Sequence, residues 1–440
     1  MKYANQKGFT LIEMLVGSAV FVVIALAAYQ AFSVLMATTL YTRIKVSATE
    51  LANERFEIIR NLPYSDVGIV GGLPVGKIVR VQNITRDNYS FTVQTTIRSV
   101  DDPFDGTIGG SPNDTSPADY KLVDLDITCS SCKNFSTLSF TTLIAPHALE
   151  TASTNGALYM RVIDSSGIAV PSASFHIVNT HTSPATVIDE TTDNTGWVKI
   201  IDAPPGTNVY NISATKSGYT TDQTYPIGGA AGANPVKPDA TVVTKQVTQT
   251  SFAIDRTSSL TINTVNSSCV ALPSIGFSLT GTKLIGTNVF KYPTHNFTTD
   301  SAGNYSLPSL EWDTYSALLT SASYDLAGTT PLPTFGINPN ESKNLQLIAV
   351  PHLNRALLVS VKTSAGVTID GATVRLQKSG FDQTQTTNSG SCATPGQVFW
   401  NGLTNGTYTL TVTKTGYQTN TIASYSVSST WQNLNVTLTP

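Results

Sequence analysis

The chain has 440 residues, enough for several separate cores, yet only 12% of them are charged, against about 25% in an average soluble domain. A net charge of -3 supplies no basic surface for nucleic acid, and no nucleic-acid partner is predicted. After residue 64 the sequence is rich in Thr, Ser, Asn, Gly and Tyr and short of helix-forming runs, which predicts an all-β body in an extracytoplasmic setting.

The first element is apolar. No charged side chain lies between Glu13 and Arg43, so residues 14–42 can cross a bilayer once. No second such stretch follows and the chain closes on NLNVTLTP, so a single N-terminal anchor is expected. Lys2 and Lys7 precede it, which places the leader in the cytoplasm and the body outside. A secretory signal cut near Ala25-Leu26-Ala27 is the plain alternative. Against it stand the length of the apolar run and Glu13, because a carboxylate at mid-helix costs about 3 kcal/mol in a bilayer.

The stretch Lys7-Gly8-Phe9-Thr10-Leu11-Ile12-Glu13 resembles the class III signal of type IV prepilins and secretion pseudopilins. The resemblance implies that a prepilin peptidase cuts between Gly8 and Phe9 and methylates the new Phe9 amine. Residues 1–8 are then a cleaved leader, and residues 9–62 a transmembrane and spine helix. Glu13 would pair in a filament with the Phe9 amine of a neighbouring subunit, so that its charge is tolerated only at the right axial step. The competing reading gives Glu13 to the positive end of its own helix. Beyond the bilayer, Ile44, Ala48, Leu51, Arg55, Ile58 and Leu62 recur at spacings of three or four and predict one packed face. Pro63 ends the helix, giving roughly 80 Å.

Residues 63–146 read as a small antiparallel sheet, from KIVRVQNITR, YSFTVQTTIRSV, YKLVDLDITC and NFSTLSFTTLI. Cys129 and Cys132 fall at a turn between the last two strands. A local disulfide is the default outside the cell; two separate thiols, or metal or redox chemistry, are the alternatives. The segment resembles the heads of minor pilins and pseudopilins. Its loop 101–119 holds five aspartates and is expected to be solvated and flexible; calcium binding, known in some pilin-like heads, is the alternative the resemblance offers.

Then the chain repeats. ALYMRVIDSSG, SLTINTVNSSC and ALLVSVKTSAG open three units, at 157–255, 258–350 and 354–440. Each carries a later turn (TTDNTGW, TTDSAGNY, TTNSGSCATPGQVFW) and a tyrosine pair at one spacing: Tyr210 and Tyr219, Tyr315 and Tyr324, Tyr408 and Tyr417. Alternation such as Leu357, Val359, Val361 predicts β-sandwiches. These units resemble carboxypeptidase-regulatory-like domains of the prealbumin-like class, which are accessory modules. The second departs most, lacking the glycine before its last tyrosine. His147 and Glu150 have the spacing of two zinc ligands but no third partner, so no metal site is predicted. A related sandwich family forms Lys-to-Asn isopeptide links; Lys362 with Asn433 or Asn435 would be the pair, and Asp370 or Asp382 the acid. Cys269 and Cys392 fall about one domain length apart in an end-to-end stack and can bond only if the stack folds back. Trp197, Trp312, Trp400 and Trp431 are expected in core or edge packing rather than as sugar platforms.

The expected fold is therefore an α+β pilin-like module followed by three all-β sandwich domains. The expected function is that of a minor, tip-located type IV pilin-like subunit whose sandwiches serve adhesion or reach. The rival is a pseudopilin of a type II-like secretion system whose sandwiches bind an exported protein or polysaccharide. Expected partners are the prepilin peptidase, other pilin subunits, the inner-membrane assembly platform, the membrane through the N-terminal helix, and a surface glycan or protein ligand. The chain is expected in the membrane before assembly and on the cell surface after it. No catalytic set or cofactor is predicted.

Overall fold

A computed structural model describes residues 10–132, 135–146, 153–390 and 392–440. It begins with one helix, α1 (Leu11–Arg60), about 75 Å long. Asn61 caps its end in helical geometry and Pro63 prevents continuation. Up to Leu40 the helix touches nothing and its apolar side chains are exposed; from Ile44 onward one face is buried. That face runs Ile44, Ser47, Ala48, Leu51, Ala52, Phe56, Ile59. The predicted stripe through Arg55 and Ile58 is thus corrected by one position in its lower half. Ala52 lets the helix lie close to the sheet, Phe56 fills the space, and Arg55 turns aside to donate to Gln82 Oε1 at 3.2 Å.

The helix packs on an antiparallel meander, β1 (Val81–Arg86), β2 (Tyr89–Val100), β3 (Tyr120–Cys129) and β4 (Leu138–Ile144), in the order β1-β2-β3-β4. Phe91, Val93, Ile97, Val123, Leu125 and Ile127 alternate onto the helix side. Lys121 is buried beneath the turn after the helix. Its amine donates to the carbonyls of Tyr64 (2.7 Å) and Val67 (2.5 Å), and burial pulls it down to about 8.

Three sandwiches follow. The first has β5 (Gly156–Ile163), β6 (Ser174–Asn179), β7 (Thr186–Thr191), β8 (Trp197–Ala203), β9 (Gly206–Thr215), β10 (Asp222–Gln223), β11 (Ala240–Val242) and β12 (Val247–Ala253). Sheet β12-β5-β8 faces sheet β10-β9-β6-β7, with β11 also on β9. The second has β13 (Ser258–Val265), β14 (Gly276–Gly281), β15 (Leu284–Gly286), β16 (Val289–Phe290), β17 (His295–Thr298), β18 (Asn304–Leu310), β19 (Asp313–Leu319), β20 (Tyr324–Thr330), β21 (Thr334–Ile337) and β22 (Ser342–Pro351). Its sheets run β18-β13-β22-β20 and β17-β14-β19-β21, with β15-β16 a separate hairpin. The third has β23 (Arg355–Lys362), β24 (Thr373–Lys378), β25 (Phe381–Thr386), β26 (Gln397–Leu403), β27 (Gly406–Thr413), β28 (Asn420–Val427) and β29 (Trp431–Thr437), in sheets β26-β23-β29 and β25-β24-β27-β28.

The repeated motifs have repeated physical roles. Tyr210, Tyr315 and Tyr408 are fully buried, and each hydroxyl donates to an upstream carbonyl: Pro204 (2.7 Å), Glu311 (2.9 Å) and Thr404 (3.0 Å). Asp164 and Asn266 accept two backbone N–H groups apiece in the first turn of their sandwiches, as do Asp193 and Asp300 in the second turn. In that second turn Gly303 has φ +75°, and a Cβ there would stand 2.8 Å from the Thr264 carbonyl oxygen. The second sandwich departs where its sequence does. With Ser323 in place of the turn glycine, Tyr324 opens β20, an added strand antiparallel to β22.

Candidate functional site

Two features of the chain carry chemistry or assembly: the exposed end of α1, and the joints that hold the domains together.

At the head of α1, Thr10 is the N-cap. Its hydroxyl oxygen accepts from the Glu13 N–H at 3.3 Å, while Glu13 Oε2 accepts from the Thr10 N–H (2.8 Å) and hydroxyl (2.9 Å). This reciprocal capping box satisfies donors the helix cannot satisfy itself and sets a carboxylate against its positive end. Gly8 and Phe9 lie outside the described residues, as do His147 and Glu150. From Leu11 to Thr42 every hydroxyl of a serine or threonine returns to its own helix: Ser18 to the Leu15 carbonyl, Ser33 to Gln30, Thr38 to Val34, Thr39 to Leu35 and Thr42 to Thr38, at 2.8–2.9 Å. A segment so arranged exposes no unsatisfied serine or threonine hydroxyl to hydrocarbon, and α1 is long and apolar enough to cross a bilayer.

The head is bound to the first sandwich. The Val187 N–H donates to the Gly71 carbonyl at 2.7 Å, so the edge strand β7 is covered. Arg80 pairs with Asp189 at 2.8 Å, and Arg98 bridges Glu190 (3.2 Å) and Asp124. Burial pushes the Glu190 carboxyl above the usual carboxylate range against the pull of Arg98. Much of loop 101–119, expected to be solvated and flexible, is exposed, with Phe104 97% accessible, but one part of it reaches into this joint. Ile108 is buried against Ala157 and Ile201. Its aspartates serve the loop itself: Asp101 accepts from the Ile108 N–H (3.0 Å), Asp102 from Phe104 (3.1 Å) and Asp114 from Ser116 (2.7 Å). Burial, with other aspartates nearby, raises Asp101 to about 6. Among the described residues, no group of three His, Cys, Asp or Glu side chains is placed to hold a metal.

The first and second sandwiches are joined by backbone. The Val236 N–H donates to the Ile285 carbonyl at 2.9 Å, and Pro235 bridges Gly286. Lys291 donates to the Thr221 carbonyl (2.5 Å) and pairs with Glu311 (2.7 Å), which also pairs with Lys283 (2.8 Å) beside the Trp312 ring.

The second and third sandwiches lie side by side. Gln397 exchanges two hydrogen bonds with the Thr329 backbone, at 2.9 and 2.6 Å, and Trp431 Nε1 donates to the Leu326 carbonyl at 2.8 Å. Cys269 and Cys392 are disulfide-bonded across this joint, with Cα atoms 5.2 Å apart. Cys129 and Cys132 are bonded to each other after β3. Cys269 carried a sequence signal: it occupies the turn position held by Gly167 and Gly366 in the sister repeats, and it adopts their left-handed backbone (φ +60°, against +81° and +82°).

The other sequence-derived candidates do not assemble. Lys362 pairs in register with Thr437, while Asn433 sits opposite Leu358 and Asn435 opposite Ser360. Asp370 is taken by Asn388 and the Gly396 N–H, and Asp382 by Arg375. No isopeptide geometry results. Trp400 is in the core of the third sandwich, Trp431 in a joint, and Trp197 lies beneath Arg161.

Residues 3–29 match the prokaryotic N-terminal methylation motif, so the chain carries a prepilin-type signal, which implies processing by a prepilin peptidase and assembly with other pilins. No curated protein sequence matches the chain significantly. Among solved structures it is similar to the Bacillus anthracis TIE protein, at 15% identity over 82% of this chain and 74% of that one, TM-score 0.20. It is also similar to a streptococcal ancillary pilin, at 12% identity over 64% and 98%, TM-score 0.18. The shaft pilin SpaA from Lactobacillus rhamnosus GG shows 13% identity over 45% and 98%, TM-score 0.19.

Proposed function

We propose that the chain is a minor, tip-located subunit of a type IV pilus, inserted in the membrane by α1 and carrying three sandwiches as a rigid arm for adhesion or reach. The observation that carries this reading is the exposed apolar surface of residues 11–40 headed by one carboxylate, within a methylation motif. Such a surface needs either lipid or the helices of neighbouring subunits, and Glu13 suits both situations in turn. In the lone chain it caps its own helix through Thr10. After removal of residues 1–8, a neighbour's cationic Phe9 amine offers a stronger partner in a low-dielectric filament core.

The sandwiches and their joints add bulk that repeated shaft packing would have to accommodate in every subunit, which favours a few copies at an end. The body is read as structural rather than catalytic. Immunogold labelling of the third sandwich on intact cells tests the placement. Gold at filament ends is the expected result. Gold along whole filaments would make it a shaft subunit, and gold confined to the cell envelope would favour the secretion pseudopilin.

A further inference from the structure

In each sandwich the first strand pairs in parallel with the last over seven registered residues. Val247–Ala253 lies on Ala157–Ile163, Ser342–Ile348 on Ser259–Val265, and Trp431–Thr437 on Ala356–Lys362. The chain enters through one strand of this pair and leaves through the other, so the two loaded ends lie at opposite ends of the ladder. A pull along the chain slides one strand past its partner and must break the ladder's bonds together rather than in turn. Each sandwich taken alone is thus held in shear.

The Cys269–Cys392 disulfide changes the path of such a pull. Its cysteines are 123 positions apart, and all strands from β14 to β25 lie between them. We propose that this bridge is a tension bypass. Force entering the second sandwich through β13 crosses from Cys269 to Cys392 through the sulfurs, and the intervening chain carries none of it. Strands β22 and β23, both inside the closed loop and parallel to β13 and β29 respectively, then remain as untensioned docking partners for them. A surface arm built this way can lose part of a domain under load without paying out the whole of its length.

The local structure suits a dedicated bridge. Cys269 sits in a left-handed turn conformation that a side-chain-bearing residue adopts only under strain, at a position where the sister repeats keep glycine. Cys392 lies in the second turn of the third sandwich, which is longer than its counterparts, and packs against Val265, Ile348 and Ala327 of the second. A disulfide is stable in the extracytoplasmic setting that the N-terminal signal implies. The source of load rests on the reading of the chain as a filament subunit; the bypass itself does not.

The test is single-molecule pulling on the full chain in detergent, with a peptide tag at each terminus for enzymatic coupling so that no cysteine is added. At about 3.5 Å per extended residue, reduction of the bridge should lengthen the fully unfolded chain by roughly 400 Å. The second disulfide, Cys129–Cys132, spans three positions and contributes only about 10 Å. The double variant C269S/C392S should show the longer length without reductant. If that variant does not fold, the same wild-type molecules before and after reductant give the comparison. Equal lengths in both states, or absence of a 269–392 linked peptide in mass spectra of non-reduced protein, would overturn the proposal. A length difference found together with failed tip labelling would leave the bypass standing and remove only its pilus setting.

Discussion

On the proposed reading, Glu13 serves a free and an assembled state in turn. In the lone chain its carboxylate is satisfied by Thr10, so the subunit need not carry an orphan charge while it waits in the membrane. The interaction is local, three residues away, and easily exchanged. Glu13→Val should therefore insert in the membrane as the parent does, measured by fractionation, but fall to background in sheared filaments. Normal incorporation would remove the pairing argument. Asp101 is a second residue whose environment is set by packing. Its folded pKa of about 6 lies above the ordinary 3.8, because it is partly buried with other aspartates nearby. The folded state binds the proton more tightly, so this contribution to stability is complete below pH 3.8 and is lost as pH rises through 6. Asp101→Asn should flatten the dependence of melting temperature on pH between 4 and 6 and stabilise the head at pH 7. After allowance for partial exposure the gain is about 1 kcal/mol. An unchanged pH slope would show that the loop opens before Asp101 titrates.

At the scale of elements, the joints reuse the sheet's own bonding. Strand edges that would otherwise be open are covered by neighbouring domains: β7 by the Gly71 carbonyl and Arg80, β20 by Gln397 and Trp431. The link between the first two sandwiches is the most exacting, since a Cβ on Gly286 would stand 1.8 Å from the Ala231 carbonyl oxygen. Gly286→Ala should cost about 1–3 kcal/mol by forcing the backbone apart. It should also open the 226–237 segment to proteolysis while leaving each sandwich folded. Protection equal to the parent would mean that the bridge is not what joins these domains. The helix shows the opposite logic. Its exposed half needs no neighbour to satisfy its serine and threonine hydroxyls, whereas its buried half depends on Ala52 and Phe56 fitting the sheet.

At the scale of the molecule, the second and third sandwiches form one body because the chain turns back on itself. The start of β29 meets Leu326 and the start of β26 meets Thr329, so β23 runs antiparallel to β22 along the joint. The disulfide seals this arrangement but is not alone in holding it. Small-angle scattering of C269S/C392S in detergent should therefore match the parent. Adding Gln397→Ala and Trp431→Ala should increase the maximum dimension by at least about 25 Å, the length of a seven-residue strand with its turns, as the third sandwich swings free. An expanded C269S/C392S protein would show that the polar contacts are too weak to dock the domains unaided.

What the sequence determined alone is what depends on neighbours along the chain. The apolar run, the Thr10–Glu13 spacing, the helix stop at Pro63, the strand alternation and the tyrosines bonded a few residues upstream are all local, and local energetics need no knowledge of the remote fold. The misplaced lower stripe of α1 marks the limit: two helical faces were nearly equivalent, and the sheet chose between them. Joints lay beyond reach for a stronger reason. The partners of Cys269, Ile108, Gly286 and Gln397 are about 50 to 120 positions away or on another domain, and many side-chain types would have served equally in a free loop. Even the cysteine in a glycine's place announced only that a bond was wanted. Whether the sandwiches ran end to end or folded back was decided by how β20 packs against β23 and β26, a property of surfaces that exist only once each domain has folded.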